Sequence, residues 1–130
     1  MQYEIGGFFG ICIIILYVLT ILNYVMKFLN KRYGQKLKKH VVFTKSLKCI
    51  VRYHKLFGLL TIAFLLVHFL IQFTYYGLSV TGAIAAGVLL LQVALGIYGT
   101  KAQSKKNKTW LYFHRSIAVA LLVAILVHVW

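Results

Sequence analysis

The chain has 130 residues, 62% of them hydrophobic and only 12% charged, with a formal net charge of +14 from 15 Lys and Arg against the single acid Glu4. That composition lies far outside the range of water-soluble globular domains. It also argues against a dispersed nucleic-acid-binding face, because every basic residue falls between Lys27 and Lys55 or between Lys101 and Arg115, and the rest of the chain is apolar.

Crossing roughly 30 Å of hydrocarbon at about 1.5 Å per residue takes about 20 apolar residues in a helix. The first uncharged run, about Ile5 to Met26, meets that length. It follows Glu4 where a signal peptide would carry basic residues, has no A-x-A pattern, and is followed by positive charge, so it reads as a true span. The basic segment 27–48, interrupted by Phe28, Leu29, Tyr33, Leu37, Val41, Val42 and Phe43, reads as a loop lying on anionic lipid. An electrostatic landing site for an acidic electron donor is its second reading. A second span runs from about Cys49 to Tyr76, and an uncharged connection leads to a third, about Val80 to Thr100. The third span is rich in small residues, including Ala83, Ala85, Ala86, Gly87, Gly96 and Gly99, which admit close approach by a backbone or a flat cofactor. A second basic loop, 101–109, precedes the last span, about Trp110 to Trp130.

These elements predict an all-α integral membrane four-helix bundle with up-down topology, a single transmembrane domain over 1–130, surrounded by lipid and binding no nucleic acid. Retention of Lys and Arg on the cytoplasmic side puts both basic loops in the cytoplasm and both termini outside, in what is expected to be the cell membrane. No proline interrupts a helix, which disfavours the discontinuous helices of transporters. Cys12 and Cys49 suit neither a disulfide framework nor a zinc site, and no CxxCH motif for covalent haem attachment is present. The sequence leaves the oligomeric state open.

Ionisable residues inside spans are costly and functional by default, which directs attention to histidine. His54 and His68 lie in the second span, His114 and His128 in the fourth, and both pairs are separated by fourteen residues; His40 lies in the basic segment. Fourteen helical steps bring the chain to within about 40° of four full turns, so each pair shares one face at a separation of ~21 Å. Two crossings apart, the spans are parallel, which sets His54 level with His114 and His68 level with His128. Two facing pairs at two depths are what two six-coordinate haems b require: His54 and His114 on an inner iron, His68 and His128 on an outer one, stacked between helices 2 and 4. Zinc fits less well, since each level offers two nitrogens and no nearby Cys, Asp or Glu.

The two spans also read as copies of each other, YHKLFGLLTIAFLLVH (Tyr53 to His68) against FHRSIAVALLVAILVH (Phe113 to His128). Gly58 and Ala118 sit four places after the inner histidines and offer either room for a porphyrin edge or a helix-packing surface. Arg52, Lys55 and Arg115 flank the same histidines, as partners for haem propionates or as ordinary span-end anchors. Thr61, seven residues from both His54 and His68, is a candidate hydrogen-bond partner on the haem face, although its counterpart is Leu121. Gln92 suits a helix–helix hydrogen bond better than a cofactor contact.

These features resemble the di-haem cytochrome b family: the four-helix haem core of cytochrome b in quinol-oxidising bc complexes, and ferric reductase-like transmembrane domains. The resemblance rests on His-x13-His on two helices with one helix between, carried by His54/His68 and His114/His128. It implies that these histidines are axial ligands and that electrons cross the membrane between two non-covalent haems b, toward an outer-face acceptor. The flavin and nicotinamide domains of ferric reductases and the quinol-site helices of bc complexes are not in this sequence. A separate cytoplasmic flavoprotein, iron–sulfur protein or quinol is therefore expected as donor, with the chain acting alone or as the anchor of a larger oxidoreductase. The alternative is a haem-free four-span transporter, channel or assembly subunit whose histidines bind protons or metal.

Overall fold

The structure, a computed structural model, describes residues 2–102 and 108–130. It is all-α, with α1 (Gln2–Leu37), α2 (Val41–Tyr76), α3 (Val80–Ala102) and α4 (Thr109–Val129). All four are long and apolar enough to cross a membrane, which marks an integral membrane protein and is compatible with a four-helix membrane bundle. Residues 103–107 of the second basic loop lie outside the described residues.

Hydrocarbon offers no hydrogen-bond partners, so a spanning segment must satisfy its polar groups internally, and the sequence does this locally. The hydroxyls of Thr61, Thr74 and Thr100 donate to carbonyls four residues back, and that of Thr20 to a carbonyl three back, at 2.7 to 3.0 Å. The turn between α2 and α3 uses Gly77 at φ 75°, a left-handed conformation costly for other residues, and its N–H donates to the Phe73 carbonyl. Ser79 then caps α3, its Oγ accepting from the Gly82 N–H at 3.3 Å.

The helices do not end where the spans do. α1 continues from Met26 to Leu37, and α2 begins at Val41, ahead of Cys49, so the basic segment 27–48 is helical except for the turn at 38–40. A run of uncharged residues measures the hydrocarbon, not the helix; Lys, Arg, Gln and Leu are good helix formers in water as well. α1 is interrupted at Tyr33, whose φ −122° and ψ 18° are non-helical, whereas no such break occurs in α2.

The chain divides into two compact units, Met1–His68 and Phe69–Trp130. In the first, Phe9 of α1 and Phe64 of α2 pack with ring centroids 5.7 Å apart, and Ile13, Tyr17, Met26 and Ile50 are buried. In the second, α3 packs along α4 and buries Ala85, Leu89 and Leu121. Here Gly82 lies beside His128 and Gly96 beside His114, so these two helices run in opposite directions. Most large apolar side chains remain exposed, the usual state of helices that lipid covers.

The sequence repeat is a structural one. Across 52–70 and 112–130, the alternation of exposed and covered residues is the same at every position except Ile62 and Leu122. Thr61 and Leu121, sixty residues apart, are the two most deeply buried side chains among the described residues, at 2% and 1% exposure. A second correspondence links α1 to α3 at an offset of 72: Gly10 with Gly82, and the buried pairs Ile13 with Ala85 and Tyr17 with Leu89. The difference of twelve residues is the surplus length of the first connection.

Candidate functional site

The four histidines that the sequence singles out are half-buried, and His68, His114 and His128 each meet a specific neighbour. His68 Nδ1 lies 3.0 Å from the Gly6 carbonyl at the start of α1. A carbonyl only accepts, so Nδ1 carries the proton and, in the neutral ring, Nε2 keeps its lone pair. Gly10 lies opposite the ring, where a Cβ would stand 3.4 Å from His68 Cε1, in van der Waals contact. A backbone carbonyl on Nδ1 is the kind of tether that orients a metal-ligating imidazole.

The second unit repeats the arrangement with different groups. His128 Nδ1 is 3.2 Å from the Thr81 hydroxyl, which in turn is 3.1 Å from Ser79 Oγ. Gly82 is again the small residue opposite, and more tightly so, since a Cβ on it would come within 2.9 Å of His128 Cε1. His68 and His128 are thus held alike by Gly10 and Gly82, positions that correspond under the α1–α3 offset.

His114 lies opposite Gly96, where a Cβ would meet its Cε1 at 3.4 Å, and near Trp110, with ring centroids 6.4 Å apart. Its Nε2 is 3.3 Å from the Gln92 amide nitrogen, which can only donate, while Gln92 Oε1 is buried without a hydrogen-bond partner among the described residues. The helix–helix hydrogen bond expected of Gln92 is therefore present, and it falls on a histidine. His54 is half-buried in α2 with a buried Nδ1 atom.

Among the other residues read from sequence, Gly58 and Ala118 are half-buried and a Cβ on Gly58 would meet nothing within 4 Å, so no packing contact requires its glycine. Arg52, Lys55 and Arg115 are exposed, and the Arg52 guanidinium lies 5.7 Å from the centre of the Tyr53 ring. The Thr61 hydroxyl donates to the Phe57 carbonyl of its own helix at 2.7 Å. His40 is exposed in the turn, where its carbonyl accepts from Thr44. Among the described residues, no three of His, Cys, Asp and Glu converge as a metal site would need.

Sequence reading passed over the parts of the site contributed by α1 and α3: the Gly6 carbonyl, Gly10, Thr81 and Gly82. One signal was available. Gly82 and Gly96 are separated by the same fourteen residues as the histidines they face. No protein-family model matches the chain, and comparison with curated proteins and with solved structures gives no match.

Proposed function

We propose that the chain is a di-haem b membrane cytochrome, in which His54 and His114 hold an inner haem and His68 and His128 an outer one. One observation carries the reading: His68 and His128, at equivalent points of a duplicated structure, each have Nδ1 within hydrogen-bond distance of an oxygen on the preceding helix and a glycine against the ring. The Gly6 carbonyl fixes the tautomer of His68, the Thr81 hydroxyl can accept from Nδ1 of His128 in the same way, and partners of that kind are the second-shell support that haem-ligating histidines need. The pairing of levels comes from the matched fourteen-residue spacing.

When bound, haem supplies a reversible one-electron iron couple. The chain's part is to present one imidazole from α2 and one from α4 at each depth, to exclude water with apolar walls, and to leave the porphyrin edge unobstructed at Gly58. Arg52, Lys55 and Arg115 are candidates to pair with propionates near the inner histidines. Basic segments on the cytoplasmic side would put the inner pair toward a cytoplasmic or quinol donor and the outer pair toward an extracytoplasmic acceptor, as in quinone-linked or ferric reductase-like proteins.

The haem-free reading, a transporter, channel or assembly subunit, is favoured by one contact, the Gln92 amide on His114 Nε2, which must be released before that nitrogen can bind iron. A pyridine haemochrome assay and a dithionite-reduced spectrum of the purified protein decide between the two. Two haems b per chain with sharp reduced α and β bands are expected. His68→Ala or His128→Ala should each leave one haem, and a haem-free protein purified from haem-replete cells would overturn the proposal.

A further inference from the structure

The first unit carries a feature that haem binding does not use. The last basic residue before the uncharged stretch of α2 is Lys55, and α2 extends without a break back to Val41. Those fourteen residues cover ~21 Å along the helix axis, whereas the headgroup layer on each side of a bilayer is only about 5–8 Å deep. Even at a tilt of about 40°, the turn at 38–40 clears the headgroups by several ångströms. α1 accompanies it from Lys27 to Leu37, bending at Tyr33.

The projecting part is helical on both sides of the turn at 38–40. Its covered residues, Met26, Leu29, Leu37, Phe43, Leu47 and Ile50, follow helical spacing, and all eight of its basic residues from Lys27 to Lys48 are exposed, with no acid among them. At the tip, Val41 and Val42 are 64% and 78% exposed beside Lys38 and Lys39. An apolar centre ringed by cations has the make-up of a protein interface, where apolar anchors contribute affinity and rim charges contribute encounter rate. Lipid would require the charges to lie at headgroup depth, and the length of α2 carries the tip beyond it.

From this we infer that the tip formed by residues 31–45 is a docking surface for an acidic, water-soluble protein. Its identity as the one-electron donor rests on the haem reading; the docking itself does not. The test uses the full chain in phosphatidylcholine nanodiscs, with an acidic flavodoxin as probe and its flavin fluorescence as the binding readout. Binding is expected at low salt and should weaken roughly tenfold on moving to physiological ionic strength or above. The combined variant Lys36→Gln, Lys38→Gln, Lys39→Gln should weaken it by a similar factor, and the charge-matched variant Lys101→Gln, Lys105→Gln, Lys106→Gln by less than about twofold. Absence of binding, or equal losses in the two variants, overturns the docking surface.

A fluorophore on Val42→Cys, in a chain also carrying Cys12→Ser and Cys49→Ser, separates protein from membrane. Headgroup-borne quenchers in phosphatidylglycerol discs should leave it bright, and strong quenching would assign the tip to lipid and overturn the inference. Retention of the chain by an oligonucleotide in place of flavodoxin would overturn it in favour of nucleic acid. Binding by a protein that lacks haem bands leaves the docking surface standing and removes the di-haem proposal. Haem bands without binding do the reverse.

Discussion

In the first unit Gly10 of α1 lies against His68 of α2, and in the second Gly82 of α3 lies against His128 of α4, at the same places in a duplicated plan. Beyond that shared contact the helix pairs differ. α1 and α2 have 36 residues each and continue into a basic projection, whereas α3 and α4 have 23 and 21, little more than a bilayer requires. The two helix pairs are alike where a glycine faces a histidine and unlike at the ends of their helices.

The comparison is broken most severely at the glycines. A Cβ on Gly82 would lie 2.9 Å from the His128 ring and one on Gly10 would lie 3.4 Å from that of His68. Gly82→Val should therefore displace His128 and destabilise the helix pair by about 1–3 kcal/mol, and on the proposed di-haem reading remove one haem, while Gly10→Val should show the weaker form of the same defect. Haem per chain and unfolding in detergent measure both effects. Equal outcomes for the two variants would mean that the contacts are not graded as their distances indicate.

A second substitution tests the unit without touching a histidine. A Cβ on Gly99 would overlap the Trp110 indole, so Gly99→Ala should force that ring aside and cost about 1–3 kcal/mol. Trp110 packs near His114, and its fluorescence should change with the substitution; Trp130, fully exposed at the end of the chain, makes a constant background. The first unit offers no counterpart to this contact, since α1 at the corresponding offset of 72 has Lys27. Unchanged stability would show that the indole has an alternative rotamer at no cost.

How much of this was legible from the residues follows from what carries a sequence signal. The four apolar helices were readable because hydrocarbon admits no charge. The helix ends were not, because charge stops at the membrane boundary while hydrogen bonding along the helix does not, as Lys27 to Leu37 illustrates. The tether on His68 was hidden for another reason: it is a backbone carbonyl, and every residue has one. Thr61, seven residues from two histidines, reads as their partner in the sequence, and in the helix its hydroxyl donates to the Phe57 carbonyl.

The smallest expected effect sharpens the comparison at Gly58 and Ala118, sixty residues apart. The fourth helix already carries a methyl at its position, and a methyl on Gly58 would meet nothing within 4 Å. Replacing an interior helical glycine by alanine removes backbone freedom from the unfolded chain, which favours the helix by up to about 1 kcal/mol. Gly58→Ala should then raise the resistance of the haem-free protein to unfolding slightly, with both haems retained when haem is supplied. Destabilisation of the haem-free chain would return Gly58 to the role of a helix-packing residue. A stable chain that loses its inner haem would instead show that the porphyrin edge approaches α2 more closely than α4, so that the repeat, symmetric in its histidines, is asymmetric in the space beside them.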